Sequence, residues 1–260
     1  MTIAILAAAI PAAATNAQTA RDADILGIKM GDSLESAEQK LNDSGIGYKI
    51  QIQKGRLKAG AFASEEIAFG LEGRVNDNSF IFVAAAVTPP HPVIGIWRKH
   101  YFTDGWRPGQ GPAVREQVLV EDIKEAMIAK AGPMITIDPQ FQGIYPEWNW
   151  GTSKFEFERN GYHPCLRRDE DKVLKMRNGS FSFSGLNDDG PYRLETKCGV
   201  TLRVKVDNRG DVQEMADLAE FWLVDYAAAA DNLRTVYDML EKGQAEAAER
   251  VKNAAEKPKL

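Results

Sequence analysis

Three segments of the chain alternate apolar and polar residues with a period of two: Tyr48–Gln53 (YKIQIQ), Lys154–Glu158 (KFEFE) and Val200–Val206 (VTLRVKV). That period belongs to a strand with one buried and one wet face. Phe80–Val87 and Val93–Phe102 read as two more strands. They are separated by Thr88-Pro89-Pro90-His91-Pro92, whose prolines remove ladder donors and force a loop. Asn178-Gly179 is the strongest hairpin signal, because both residues tolerate positive φ. Across that turn Met176 meets Phe181 and Leu174 meets Phe183, so the register is self-consistent. Asp24–Lys29 and Leu218–Val224 read as shorter strands. Gly105–Pro112 and Asp138–Asn149 read as loops.

Helical spacing appears in three places. Leu34, Ala37 and Leu41 predict a helix over Leu34–Asn42, with Ser33 as its N-cap and Gly45 as its stop. Ile123, Met127 and Ile128 share one face of a helix over Val120–Ala131, ended by Gly132-Pro133. Tyr226–Glu256 reads as one long Ala-rich helix. Beyond Gly243 its stripe is mostly alanine, so the first half is expected to dock and the end to stand exposed or frayed. A partner-binding coiled coil is the other reading of that end. The fold class predicted is α+β: mainly antiparallel sheet, a few short helices and a long C-terminal helix. Residues 1–17 are expected to form a signal peptide, 18–225 a globular region (two small subdomains if it breaks near 135–150), and 226–260 the helix and tail.

The signal assignment rests on Ile3–Ala14, an unbroken apolar run followed by Thr15-Asn16-Ala17. It is shorter than the roughly 20 residues that span a bilayer, and its length and small residues fit a secretory h-region and cleavage site. No Lys or Arg precedes the run, which departs from that pattern; an Ala-rich buried helix is the alternative. Export predicts a periplasmic or secreted location, with no stable membrane insertion of the mature chain. It also makes Cys165 and Cys198, the two cysteines, a disulfide rather than free thiols. The loop of about 34 residues they would close corresponds to about 4 kcal/mol of chain-entropy stabilisation.

Chemistry is sparsely signalled. The net charge of −5 argues against a nucleic-acid partner, which needs a clustered basic face. His91, His100 and His163 stand in no metal-ligand spacing, no Ser elbow or C-x-x-C occurs, and Gly109-Gln110-Gly111 lacks the rest of a phosphate loop. No catalytic residue, metal site or cofactor is therefore assigned. Trp106, Trp148 and Trp150 are the candidate binding residues, because Trp is enriched in binding hot spots and Trp106 and Trp148 lie in predicted loops, where an aromatic is hard to explain as core. Three functions follow: an envelope protein that binds another protein, a hydrolase assembled from residues such as His100, Asp104 and Asp138, and a small-molecule binder with a pocket of Trp97, Trp106 and Trp148.

The stretch Gly27-Ile28-Lys29-Met30-Gly31-Asp32-Ser33-Leu34-Glu35-Ser36-Ala37 resembles the opening of exported bacterial modules of the β-lactamase-inhibitor-protein-like and outer-membrane-assembly-lipoprotein (SmpA/OmlA) type. Lys130-Ala131-Gly132-Pro133 is similar to helix ends of related proteins, with Ala131 in place of a tyrosine. The resemblance implies a non-catalytic, protein-binding module of the periplasm or envelope. It carries over no catalytic residue.

Overall fold

The computed structural model describes residues 20, 22–75, 78–107, 111–114, 116–132, 147–151, 199–208 and 214–255. The apolar run at 3–14, both cysteines, His163, the Lys154–Glu158 segment and the Asn178-Gly179 turn lie outside the described residues, as does Asp138.

Elements follow in chain order: β1 (Asp24–Ile25), β2 (Ile28–Lys29), α1 (Leu34–Asp43), β3 (Lys49–Gly55), β4 (Lys58–Ala59), β5 (Phe62–Ala63), β6 (Ile67–Val75), β7 (Ser79–Ala85), β8 (Val93–Tyr101), β9 (Thr103–Arg107), β10 (Gly111–Val114), α2 (Val120–Ala131), β11 (Glu147–Gly151), β12 (Val200–Asn208), β13 (Ala216–Asp225) and α3 (Tyr226–Ala255). Seven strands form one antiparallel sheet in the order β11-β12-β13-β8-β7-β6-β3. It draws strands from both sides of residues 135–150. The fold is α+β, with the long C-terminal helix in place.

Both faces of the sheet are covered, which gives three layers. On one face Ile81, Val83, Leu202, Val204 and Leu223 bury against Leu34, Ala37 and Leu41 of α1 and Ile123 and Met127 of α2. On the other face Phe82, Ala84, Ile94 and Val224 bury against Tyr226, Leu233, Val236 and Leu240 of α3. The alternation along β7 is what splits its residues between the two cores.

Local chemistry sets the ends of the helices. The Ser33 hydroxyl accepts from Ser36 N–H at 3.1 Å at the start of α1. Asp225 accepts from Ala228 N–H at 3.0 Å at the start of α3. One turn further along α3, buried Asn232 accepts from Val87 N–H at 2.8 Å, which fixes the helix to the turn after β7. No helix among the described residues is long and apolar enough to cross a membrane.

Three segments differ from the sequence expectation. Asp24–Lys29 is a small hairpin, because Leu26 (φ 56°) and Gly27 (φ 79°) both take the left-handed conformation of a tight turn. Gly105–Arg107 and Gly111–Pro112 lie in β9 and β10, which pair antiparallel, with Pro112 opposite Trp106 beside a register shift, where a missing N–H is tolerated. Glu147–Gly151, read in part as loop, is a strand in which Trp148 pairs with Val204 and Trp150 with Leu202. The sequence reading assigned no element to β6, although it is an interior strand. Its Gly70 and Gly73 lower strand propensity, yet the sheet requires them. A Cβ on Gly70 would lie 2.5 Å from the Val83 carbonyl oxygen, and one on Gly73 would lie 2.9 Å from Ile81.

Candidate functional site

The sequence-predicted tryptophans separate. Trp148 and Trp150 are buried in the core on the α1–α2 side, and the Trp150 indole N–H donates to the Gly132 carbonyl at 2.8 Å. Trp106 lies in β9. Trp97 packs on the opposite face, against the α3-side core. Trp97 and Trp148 thus stand on different faces of one sheet and cannot line a common pocket.

His100 sits on β8, directly across from Ser79 on β7. Its Nε2 lies 3.4 Å from the Glu116 carboxylate, and its ring meets Phe102 edge-on with centroids 4.9 Å apart. Burial, helped by the charge of Arg98, pushes its pKa below the ordinary histidine value against the pull of Glu116. The arrangement superficially suggests a serine–histidine–carboxylate set. Ser79, however, is only 4% exposed, and its oxygen is engaged with the Tyr48 hydroxyl at 2.7 Å. The neighbouring polar pair, Thr103 donating to Asp217, is internal as well. Asp104, the second member of the hydrolase set, lies in β9.

The part of the α3-side face away from α3 carries aromatic and charged residues in two cross-strand rows. The register sets Glu72, Phe82, Trp97, Trp222 and Arg203 in one row and Arg74, Phe80, Lys99, Glu220 and Lys205 in the next. Cations cap the rings: Arg74 lies 5.0 Å from the Phe80 centroid, Lys99 4.9 Å from Trp97 and Arg203 4.8 Å from Trp222. Lys99 also pairs with Glu220 at 2.6 Å. Phe82 and Trp222 in these rows belong to the α3-side core, with Phe80 and Trp97 packed against it, and the cations cover their rings from outside.

A groove of about 920 Å³ lies where α3 leaves the body. One wall is α3 itself, through Met239, Gly243, Ala247 and Val251. The facing wall comes from Phe62 on β5 and Ile67 and Ala68 on β6, and the end wall from Val87, Thr88, Pro89 and His91. The end wall is positioned by identifiable bonds. Asn232 holds the end wall to α3, and the His91 carbonyl accepts from Leu34 N–H at 3.1 Å, which ties the same turn to α1. The wall-to-wall approach depends on Gly243, since a Cβ there would lie 2.4–2.5 Å from three ring carbons of Phe62. Val251, at the mouth, is 63% exposed, the most exposed large apolar residue among the described residues. Glu65, Glu66, Glu246 and Arg250 complete the rim.

A smaller cavity of about 370 Å³ lies beside the start of α3, lined by Lys29, Pro92, Val200 and Asp225 among others. His100 lines neither cavity. Among the described residues no group of three or more His, Cys, Asp or Glu is arranged to hold a metal ion. No protein-family model, curated protein or solved structure matches the chain.

The sequence reading had no signal for the groove, because its walls come from segments far apart in the chain.

Proposed function

We propose that the chain is a non-catalytic, protein-binding module of the cell envelope, and that the groove beside α3 is where a partner segment docks. The groove carries the reading. It combines apolar walls, a volume of about 920 Å³ and an exposed valine at its mouth. A partner's apolar side chains would displace solvent from those apolar walls. Chemistry at His100 is disfavoured by the enclosed Ser79, whose hydroxyl is engaged with that of Tyr48. The apolar run at Ile3–Ala14 and the resemblance at Gly27–Ala37 support export to the periplasm or beyond. In that setting Cys165 and Cys198 pair.

The test is affinity capture from the envelope fraction with the full chain and with Val251→Asp, read by quantitative mass spectrometry. A partner enriched by the native chain and lost with Val251→Asp supports the reading; retention by both proteins, or no enrichment, contradicts it. Non-reducing spectra of the same bait report the cysteine pairing and any cleavage near Ala17.

A further inference from the structure

We infer that the chain forms a two-fold dimer in which β3 pairs antiparallel with β3 of a second copy, joining the two sheets edge to edge. The inference is independent of the groove. β3 is the last strand of the seven-stranded sheet and pairs with β6 alone. Among the described residues no backbone group of Lys49–Gly55 bonds outside that ladder. Its outer N–H and C=O groups are therefore open to another strand. Natural edges are blunted by charge, proline, bulges or a covering element. β3 has such devices only at its ends: Lys49 at the start, and the bulge between Gln53 and Lys54 at the other side. Between them Ile50-Gln51-Ile52-Gln53 carries no charge, proline or glycine. Ile50 and Ile52 pack against the α1-side core yet stay only half-buried.

What selects a second copy is the strand's own sequence. Antiparallel pairing about a two-fold axis normal to the sheet sets residues of one face opposite each other, and the contact is self-complementary. With the axis at Gln51, Ile50 of each copy meets Ile52 of the other, Lys49 meets Gln53, and the two Gln51 amides face each other. Side chains directly across a seam stand about 5 Å apart, so the isoleucine pairs cover the flank that each free edge leaves half-buried. The α1-side cores of the two copies then run on into one another. The two Lys49 side chains lie four residues apart along the seam. That is about 13 Å, beyond the screening length of about 8 Å at physiological salt. Moving the axis to Ile52 brings Ile50 against Lys54 and the bulge, and moving it to Ile50 pairs only three residues of β3.

A single strand pair is a small contact, so the dimer is weak. Sedimentation equilibrium of the full chain should find monomer at about 1 µM and mostly dimer at about 100 µM. Gln51 is exposed, so a charge there leaves the fold intact, which circular dichroism checks. On the axis, each substitution at this position meets itself. Gln51→Lys alone and Gln51→Glu alone should each raise the dissociation constant about ten-fold, because like charges then face one another. An equal mixture of the two variants should restore the dimer to at least the native level, with opposite charges across the seam. In the native chain, β3 amides that point away from β6 should exchange more slowly at the higher concentration. A chain that stays monomeric throughout, a dimer indifferent to both substitutions, or a mixture that does not recover overturns the inference. Val251→Asp should leave the dimer unchanged; loss of the dimer in that variant would place the contact at the groove and overturn the assignment to β3.

Discussion

Replacing Gly243 with alanine sets two effects against each other, and their sizes predict the sign. In a helix interior alanine is favoured over glycine by about 1 kcal/mol. Against that, the added Cβ would stand 2.4–2.5 Å from Cγ, Cδ2 and Cε2 of Phe62. Ordinary carbon contacts lie at about 3.5–4.0 Å, so the ring or the β4–β5 hairpin must move by about 1 Å. Overpacking of this kind costs about 1–3 kcal/mol. Gly243→Ala should therefore destabilise the protein by about 1 kcal/mol net. In a Phe62→Ala background the obstruction is gone, and the same substitution should stabilise by about 1 kcal/mol. The coupling between the two sites is then about 2 kcal/mol, well beyond the additivity error of distant sites. Urea unfolding of the four proteins, followed by circular dichroism and tryptophan fluorescence, measures it. Equal stabilisation by Gly243→Ala in both backgrounds would refute the claim that Phe62 and α3 close the groove on a glycine.

Ser33→Ala should cost about 1 kcal/mol of stability by thermal melting, and Ser33→Asp should restore most of it, because the cap is a side-chain acceptor. Leu240→Ala should cost about 2–5 kcal/mol, whereas Val251→Ala should stay within about 0.5 kcal/mol, since one side chain is fully buried and the other is mostly in water. Amide exchange should show the same division of α3, with slow exchange to about residue 240 and fast exchange beyond. His100, depressed by burial in the folded state, binds its proton more readily when the chain unfolds. Stability is therefore fully present above the unfolded pKa of about 6.5 and declines as pH falls below it toward the folded pKa. His100→Gln should flatten that decline, read as the difference in urea midpoint between the two proteins across pH 7.5 to 5.

What the sequence shows of this fold is what local chemistry decides. The cap at Ser33, the period of α2 and the alternation in β3 and β12 each state their own structure, and the observed elements follow within a few residues. β6 was illegible because Gly70 and Gly73 answer to Val83, Ile81 and Tyr48 on neighbouring strands, a tertiary demand that lowers local propensity. Leu26 hid a turn because a leucine at φ 56° is rare. Trp148 was read as a loop aromatic, although the single residue between it and Trp150 is a strand period that turns both rings into one core. The groove was least legible of all. Phe62, Val87 and Gly243 lie far apart in sequence, and only the packing of α3 brings them together.

Photo-crosslinking in living cells tests the docking claim most directly. A benzophenone amino acid is placed singly at Thr88, Glu246 or Val251 on the groove and at Glu35 or Arg74, which lie outside its lining. The account predicts one protein adduct shared by the three groove positions and absent from the two outside them. Adducts of equal yield at all five positions, or at Glu35 and Arg74 alone, would contradict it.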